Sequence, residues 1–416
     1  MALLSLSALG AAIFIGFFRQ MNTGLLSIAL ALVVGKAAGL SDMDILEGFN
    51  APLFLMLLGV TYLFGLADGN GALRLLAEKI VSLSGRHTWL VPIVMYFLAA
   101  GISALGPGTI PTTAIMMVLG MSLAAEMKIN PAMLAAIVFL GAAGGGMSPL
   151  AATGIIGVNL CSDFGLYHIE KPLLINGMLS SSVYAFLVYM AFGGFRLRNR
   201  SGGVVRKYGS FDRRQKMTLL AIGIMILAVI VFKVNVGLAG FGAGAVLSFF
   251  HAADEREALK KIPWGTLLLI CGVGVLMNVI IKTGGIDLLS GVLADLMNDK
   301  TAASVLGMTA GVMSWFSSTS GVVMPTLIPA IPHIMDQMSG PVNPVEWVTA
   351  ISMIANTAGI SPLSTGGALA LAAYSSENGA DEEEMQGLFI RMFAISAAGV
   401  LSLSLFAYFG FYRWLL

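Results

Sequence analysis

The chain has 416 residues, 57% of them hydrophobic and 11% charged, with a formal net charge of +1 and a mean hydropathy of +0.88. A soluble domain carries about 25% charged residues, so this composition excludes a soluble enzyme or a nucleic-acid-binding module. It describes an all-α polytopic membrane protein whose surroundings are a lipid bilayer.

Ala2–Phe18, Leu25–Leu40 and Pro52–Ala67 read as spans. No basic residue precedes the first, so it lacks the start of a signal peptide and reads as retained. Gly71–Ser84 carries Arg74, Glu78 and Lys79 among leucines and suits an interfacial amphipathic helix. Thr88–Ala125 reads as a hairpin that enters the membrane and returns, because its two apolar runs, Thr88–Gly101 and Thr112–Ala125, are each shorter than the roughly 20 residues a crossing needs. Met133–Leu160 crosses despite an interruption at Gly144–Pro149, and Pro172–Phe192 is a further span. A basic linker, 196–216, holds Arg196, Arg198, Arg200, Arg206, Lys207, Arg213, Arg214 and Lys216 against Asp212 alone.

The second half follows the same plan. Met217–Phe232, Val236–Phe250 and Trp264–Ile281 are spans, and Ile286–Met297 is interfacial. Ala302–Ile334 is a second hairpin, Trp347–Tyr374 an interrupted span, Glu377–Glu384 an acidic loop that includes Asp381, and Leu388–Phe411 the last span. Ser103 recurs as Ser317, Pro111-Thr112 as Pro325-Thr326 and Gly71 as Gly285, each 214 residues later. Ser148-Pro149-Leu150 recurs as Ser361-Pro362-Leu363 at 213. Four matches in order at a nearly constant spacing indicate an internal duplication. Five crossings and one hairpin per half make the number odd, so the halves, 1–195 and 217–416, are expected to be inverted-topology repeats.

Lys and Arg set the orientation. With the basic linker in the cytoplasm, seventeen of these residues fall inside and six outside, with both termini outside. The hairpins then enter from opposite sides and their tips can meet near mid-membrane.

The tips, Ser103–Pro111 and Ser317–Pro325, and the two interruptions contain no Asp, Glu, Lys, Arg or His. What they offer is hydroxyls, the amide of Asn356 and free backbone. Gly106, Pro107, Gly108 and Pro111 are each expected to break a helix. Broken helices present N–H groups and positive dipole ends that suit a carboxylate. Their carbonyls, with Ser, Thr and Asn oxygens, suit a hard cation such as sodium. Membrane hydroxyls also serve as plain backbone partners or helix glue. Cys161 and Cys271 lie in different halves, so neither a disulfide nor a metal site is expected. No nucleotide-binding loop and no convergent catalytic set occurs, so a secondary transporter is expected rather than an ATP-driven one or an enzyme.

Three strings carry a resemblance: Leu4-Ser5-Leu6-Ser7-Ala8-Leu9 with Met21-Asn22-Thr23-Gly24-Leu25-Leu26, Gly106-Pro107-Gly108-Thr109, and Ser361-Pro362-Leu363-Ser364-Thr365-Gly366-Gly367. They resemble the divalent-anion:sodium symporters of the ion transporter superfamily, in particular the malonate/dicarboxylate carrier (MatC-type) branch. The resemblance implies an elevator in a bacterial inner membrane. A transport domain, about 88–165 and 302–376, would slide against a scaffold that forms a homodimer. It also implies hairpin tips that contact substrate carboxylates through Ser-Asn-Thr. Ser317-Ser318-Thr319 fits with Ser in place of Asn, whereas Ser103-Ala104-Leu105 keeps only the serine.

The expected substrate is malonate or a C4 dicarboxylate, held by Ser103, Gly106, Pro107, Gly108, Thr109, Ser317, Ser318, Thr319, Ser320 and Thr365. Sodium is the expected coupling ion, with no other cofactor. Its expected ligands are Ser103, Gly144, Gly145, Gly146 and Ser148 in one half. In the other they are Ser317, Asn356, Thr357, Gly359 and Ser361. The alternatives are proton coupling or exchange of another organic or inorganic anion, and an uncoupled anion channel.

Overall fold

The computed structural model describes residues 1–82, 87–197, 209–338, 343–378 and 382–413. Arg86, Arg198, Arg200, Arg206 and Lys207, all expected inside, and Asp381 of the acidic loop lie outside the described residues.

Among the described residues every regular element is a helix. The first half runs α1 (Ala2–Arg19), α2 (Thr23–Ala37), α3 (Asp42–Leu46), α4 (Ala51–Gly69), α5 (Ala72–Ser82), α6 (Val91–Ala104), α7 (Thr109–Met127), α8 (Pro131–Gly145), α9 (Ala152–Ser162) and α10 (Glu170–Ala191). The second runs α11 (Arg213–Phe232), α12 (Val236–Phe249), α13 (Glu255–Lys261), α14 (Trp264–Lys282), α15 (Gly285–Asp295), α16 (Ala302–Phe316), α17 (Met324–Leu327), α18 (Ile331–Met335), α19 (Pro344–Ala358), α20 (Thr365–Asn378) and α21 (Glu382–Tyr408). A π-type turn, Thr319–Val323, leads into α17.

The starts of α2, α4, α5, α8 and α9 recur 213 residues later as those of α12, α14, α15, α19 and α20. The capping chemistry recurs with them. Asn22 Oδ1 accepts from the N–H groups of Gly24 (2.9 Å) and Leu25 (3.3 Å), and Asn235 Oδ1 from those of Gly237 (3.0 Å) and Leu238 (3.3 Å). Asn130 caps α8 and Asn343 caps α19 in the same way. Each satisfies backbone donors that a helix start otherwise leaves open.

Two bodies can be told apart by packing. In one, α2 lies on α14 and α4 on α12. Glycines make these crossings close: a Cβ on Gly24 would collide with the Leu268 carbonyl, and one on Gly237 with the backbone of Met56. In the other, α8 and α19 are at the centre. Residues 132–145 of α8 and 346–358 of α19 are all buried, as expected of helices apolar on every side. Around them pack α6 and α10 on α8, and α16 and α21 on α19. The halves interlock here, since α20 lies on α7 and α9 on α17.

Among the described residues six helices are long and apolar enough to cross a membrane: Ala51–Gly69, Thr109–Met127, Glu170–Ala191, Arg213–Phe232, Trp264–Lys282 and Glu383–Tyr408. The other expected crossings are shorter or interrupted helices.

The second arm of the first hairpin differs from expectation. Thr112–Ala125 reads as too short to cross, but α7 has 19 residues, about 28 Å at 1.5 Å per residue. Pro111 does not break it. Proline sits in the first turn, where its missing N–H has no helical partner to lose, and the break falls at Gly106 (φ 148°) and Gly108 (φ 78°). The corresponding arm of the second hairpin is divided at 328–330, between α17 and α18. Pro329 stands there where the first half has Ile115, and an internal proline clashes with the carbonyl four residues back.

Candidate functional site

The helix breaks in the central body are closed by hydrogen bonds that recur across the halves. Gly154 N–H donates to Gly146 O (2.9 Å), and Gly367 N–H to Gly359 O (3.1 Å). Ser148 Oγ accepts from Leu150 N–H and Ser361 Oγ from Leu363 N–H, both at 3.2 Å. Ser148 and Ser361 thus shape the breaks through their own backbones.

The first tip rests against the first break. Ser103 Oγ donates to Ala142 O at 2.7 Å, and Thr109 Oγ1 reaches the same carbonyl at 3.4 Å. Gly145 and Gly146 make this approach possible, because a Cβ would collide with Ala100 O and Thr109 Oγ1 respectively, while Gly144 lies against Ser181 Oγ of α10. Gly108 lies beside Ala152, so the N-termini of α7 and α9 are neighbours. Neither carries a side-chain cap. Two uncapped starts together concentrate free N–H groups and positive dipole ends.

The second tip repeats this with different residues. Thr319 Oγ1 donates to Ala355 O at 3.0 Å and lies 2.7 Å from Ser314 Oγ. Ala355 is the counterpart of Ala142, 213 residues on. Ser317 turns back on its own helix and donates to Met313 O at 2.8 Å, while Ser318 Oγ accepts from Gly321 N–H at 3.1 Å. Ser320 is half-buried at the same tip. Each tip therefore builds a cluster of neutral oxygens: Ser103, Thr109 and the Ala142 carbonyl, or Ser314, Thr319 and the Ala355 carbonyl.

Asn356 joins the two halves. Its Nδ2 donates to Ala143 O at 3.4 Å, and Ala143 and Asn356 are themselves counterparts. Next to it, Thr357 is fully buried with no partner for its hydroxyl. A Cβ on Gly359 would meet the ring of Phe139 at 2.7 Å, so α8 also packs on the second break.

Two clefts separate the central body from the α4 and α14 helices. One, of 370 Å³, brings Pro107 of the first tip to Thr365, with Asp68 and Lys261 also in its lining. The other, of 440 Å³, is lined by Pro325 and Pro329 with Asn50, Asp163 and Asn278. Pro111, Ile115 and Leu369 in the first cleft correspond to Pro325, Pro329 and Ile156 in the second.

Residues 9–354 match the citrate transporter family. The chain belongs to that family. Among solved structures, this citrate transporter family member is similar to the YdaH transporter of Alcanivorax borkumensis. The TM-score is 0.56 at 16% identity over 88% of this chain and 86% of that one. It is also similar to MtrF of Neisseria gonorrhoeae, described as illuminating a class of antimetabolite efflux pumps. There the TM-score is 0.55 at 15% identity, over 88% and 82% of the chains. These likenesses show the fold. An uncharacterized transporter of Mycobacterium tuberculosis, found in two strains, is 27% identical over 121 residues, and the match spans 28% of either chain. The family is one of transporters, and six of the described helices are long and apolar enough to cross a membrane.

Three features escape a reading by motif. Ser314 lies inside an apolar helical run, and only the fold brings it to Thr319. Thr112 and Thr326 are buried counterparts, both with unpartnered hydroxyls. The duplicated Pro-Thr pair carries that signal, but as a repeat marker rather than as chemistry. Glu346, fully buried one residue before the charge-free stretch, pairs with Arg413 at 2.6 Å. Among the described residues no group of three or more His, Cys, Asp or Glu could hold a metal ion.

Proposed function

We propose that this protein is a secondary active carrier of a small di- or tricarboxylate, coupled to sodium and working as an elevator. The family name favours citrate, and the tip and break motifs favour malonate or a C4 acid of the MatC-type branch. The observation that carries the reading is the pair of uncapped helix N-termini meeting at Gly108 and Ala152, flanked by oxygen clusters without charge. Backbone N–H groups and positive dipole ends bind a carboxylate without a buried arginine. Hydroxyl and carbonyl oxygens are the hard donors an alkali cation prefers.

In this reading one carboxylate takes the N–H groups of Thr109 and Ile110 at the start of α7, with Thr365 across the first cleft, because Gly106 and Gly108 already donate to Ser103 O at 3.3 and 3.2 Å and Pro107 has no N–H. Another takes the Ser318–Ser320 tip. Sodium ions take the Ser103–Thr109–Ala142 and Ser314–Thr319–Ala355 oxygens, supported by Gly144–Gly146, Asn356, Thr357 and Gly359. A bound cation would draw Ser103 and Thr319 away from donating to carbonyls and turn their oxygen lone pairs toward it. Cation and anion binding then support each other, because each neutralises charge the other brings into a low-dielectric site.

The halves act as inverted-topology repeats. The hairpins and interrupted helices move together as the transport unit. We extend that unit to α10 and α21, since both pack on its central helices. The α1–α5 and α11–α15 segments form the scaffold and the homodimer contact. The paired clefts are the sliding boundary, one opening to each side.

Uptake of labelled malonate, succinate and citrate into proteoliposomes tests the site. Thr319→Ala and Asn356→Ala should abolish saturable uptake at normal expression. Unchanged kinetics in either variant would remove that residue from the site.

A further inference from the structure

A separate cavity of 240 Å³ lies between α6 and α10, away from both tips. Its walls are Pro92, Phe97, Ile137, Ala185, Phe186 and Phe195. The hydroxyl of Tyr96 in its lining is satisfied within the protein, 2.8 Å from Ser181 Oγ and from Ser182 Oγ. Nothing in the cavity asks for a polar guest. Apolar walls with no open hydrogen-bonding group favour an apolar guest over water.

The cavity is closed at one end by a built turn. Tyr189 donates from its hydroxyl to Trp89 O at 2.9 Å, which ties α10 to the start of α6. Gly194 lies flat on the Tyr189 ring, where a Cβ would collide. Arg196 N–H donates to Gly193 O at 2.8 Å. This turn stacks Phe195 edge-on against Tyr189, with centroids 4.9 Å apart. Arg196, exposed, is the next residue after Phe195 of the lining and begins the basic linker.

Phe97, Phe186 and Phe195 are more than half exposed, so the cavity opens sideways from helices at bilayer depth. We infer that it holds an acyl chain of an anionic phospholipid whose headgroup meets Arg196. An apolar slot with a cation at the membrane surface matches the two ends of such a lipid. The inference rests on the membrane placement proposed above, but not on the transported substrate.

The test uses the full chain in detergent and reads its unfolding temperature with phosphatidylglycerol or phosphatidylcholine of the same acyl chains. The wild type should gain several degrees from phosphatidylglycerol and less from phosphatidylcholine. Ala185→Phe, which fills the cavity, should lose both gains, and Arg196→Gln should respond to the two lipids alike. An Ala185→Phe response equal to wild type would overturn the site, and equal wild-type responses would overturn the headgroup contact. Should Ala185→Phe fail to fold, the exposed Phe195→Ser serves instead. It should lose at least half the phosphatidylglycerol gain, and an undiminished gain would overturn the site. Unfolding is read without transport, so a wrong substrate assignment leaves the result interpretable.

Discussion

At the scale of single residues, the candidate site uses side chains to place backbone. Ser103 and Thr319 each hold a hairpin tip to the carbonyl just before a helix break, and Asn356 fastens one break to the other half. Asn356 and Thr319 were legible in the sequence because an amide and a hydroxyl at a predicted interruption need partners. Ser317 was legible as a repeat of Ser103, but its hydroxyl serves its own helix and Ser314 meets Thr319. The spacing of the duplication places backbones well and says less about rotamers. Glu346 was missed by one position. Its side chain is 1% exposed, against 48% for Arg413, so removing the arginine leaves a carboxylate stranded. Arg413→Ala should lower stability by about 2–3 kcal/mol, less than a fully buried pair because Arg413 is half exposed. Glu346→Gln should recover much of that loss when added to Arg413→Ala. Thermal unfolding of the two single variants and the double variant checks both, and additive effects would deny the coupling.

At the scale of elements, the close crossings α2 on α14 and α4 on α12 depend on glycine. Between helices in lipid, association comes from packing and close backbone approach rather than from hydrophobic exclusion. Gly24 and Gly272 face each other, as do Gly237 and Gly59, with no room for a Cβ at any of them. Gly272→Val should therefore force the pair apart and reduce folded yield strongly. Gly242→Ala, on the same kind of helix with open space around it, should leave yield unchanged. Size-exclusion profiles of the two variants give the comparison, and equal yields would contradict the packing argument. The helices themselves were readable from apolar run length and Asn caps. Their partners were not, because α2 and α14 lie far apart in the chain and glycine content alone does not name a pair. The length of α7 was misread because Pro111 marks a break only in a helix interior, not in a first turn.

At the scale of the molecule, the order of elements in the first half returns in the second, and the two clefts return with it. An offset of 213 or 214 is visible in four short motifs, and it extends to helix starts, caps, glycine contacts and cleft linings. The charge-free core was visible as well. The family is one of transporters, and the proposed cargo is an anion moving with a cation. The direct test is initial uptake of labelled malonate, succinate and citrate into proteoliposomes at constant pH, with and without an inward sodium gradient. Sodium-dependent uptake of one acid, inhibited by the others, is the predicted result. Uptake indifferent to sodium and driven by a proton gradient would contradict the assignment of the two oxygen clusters as cation sites.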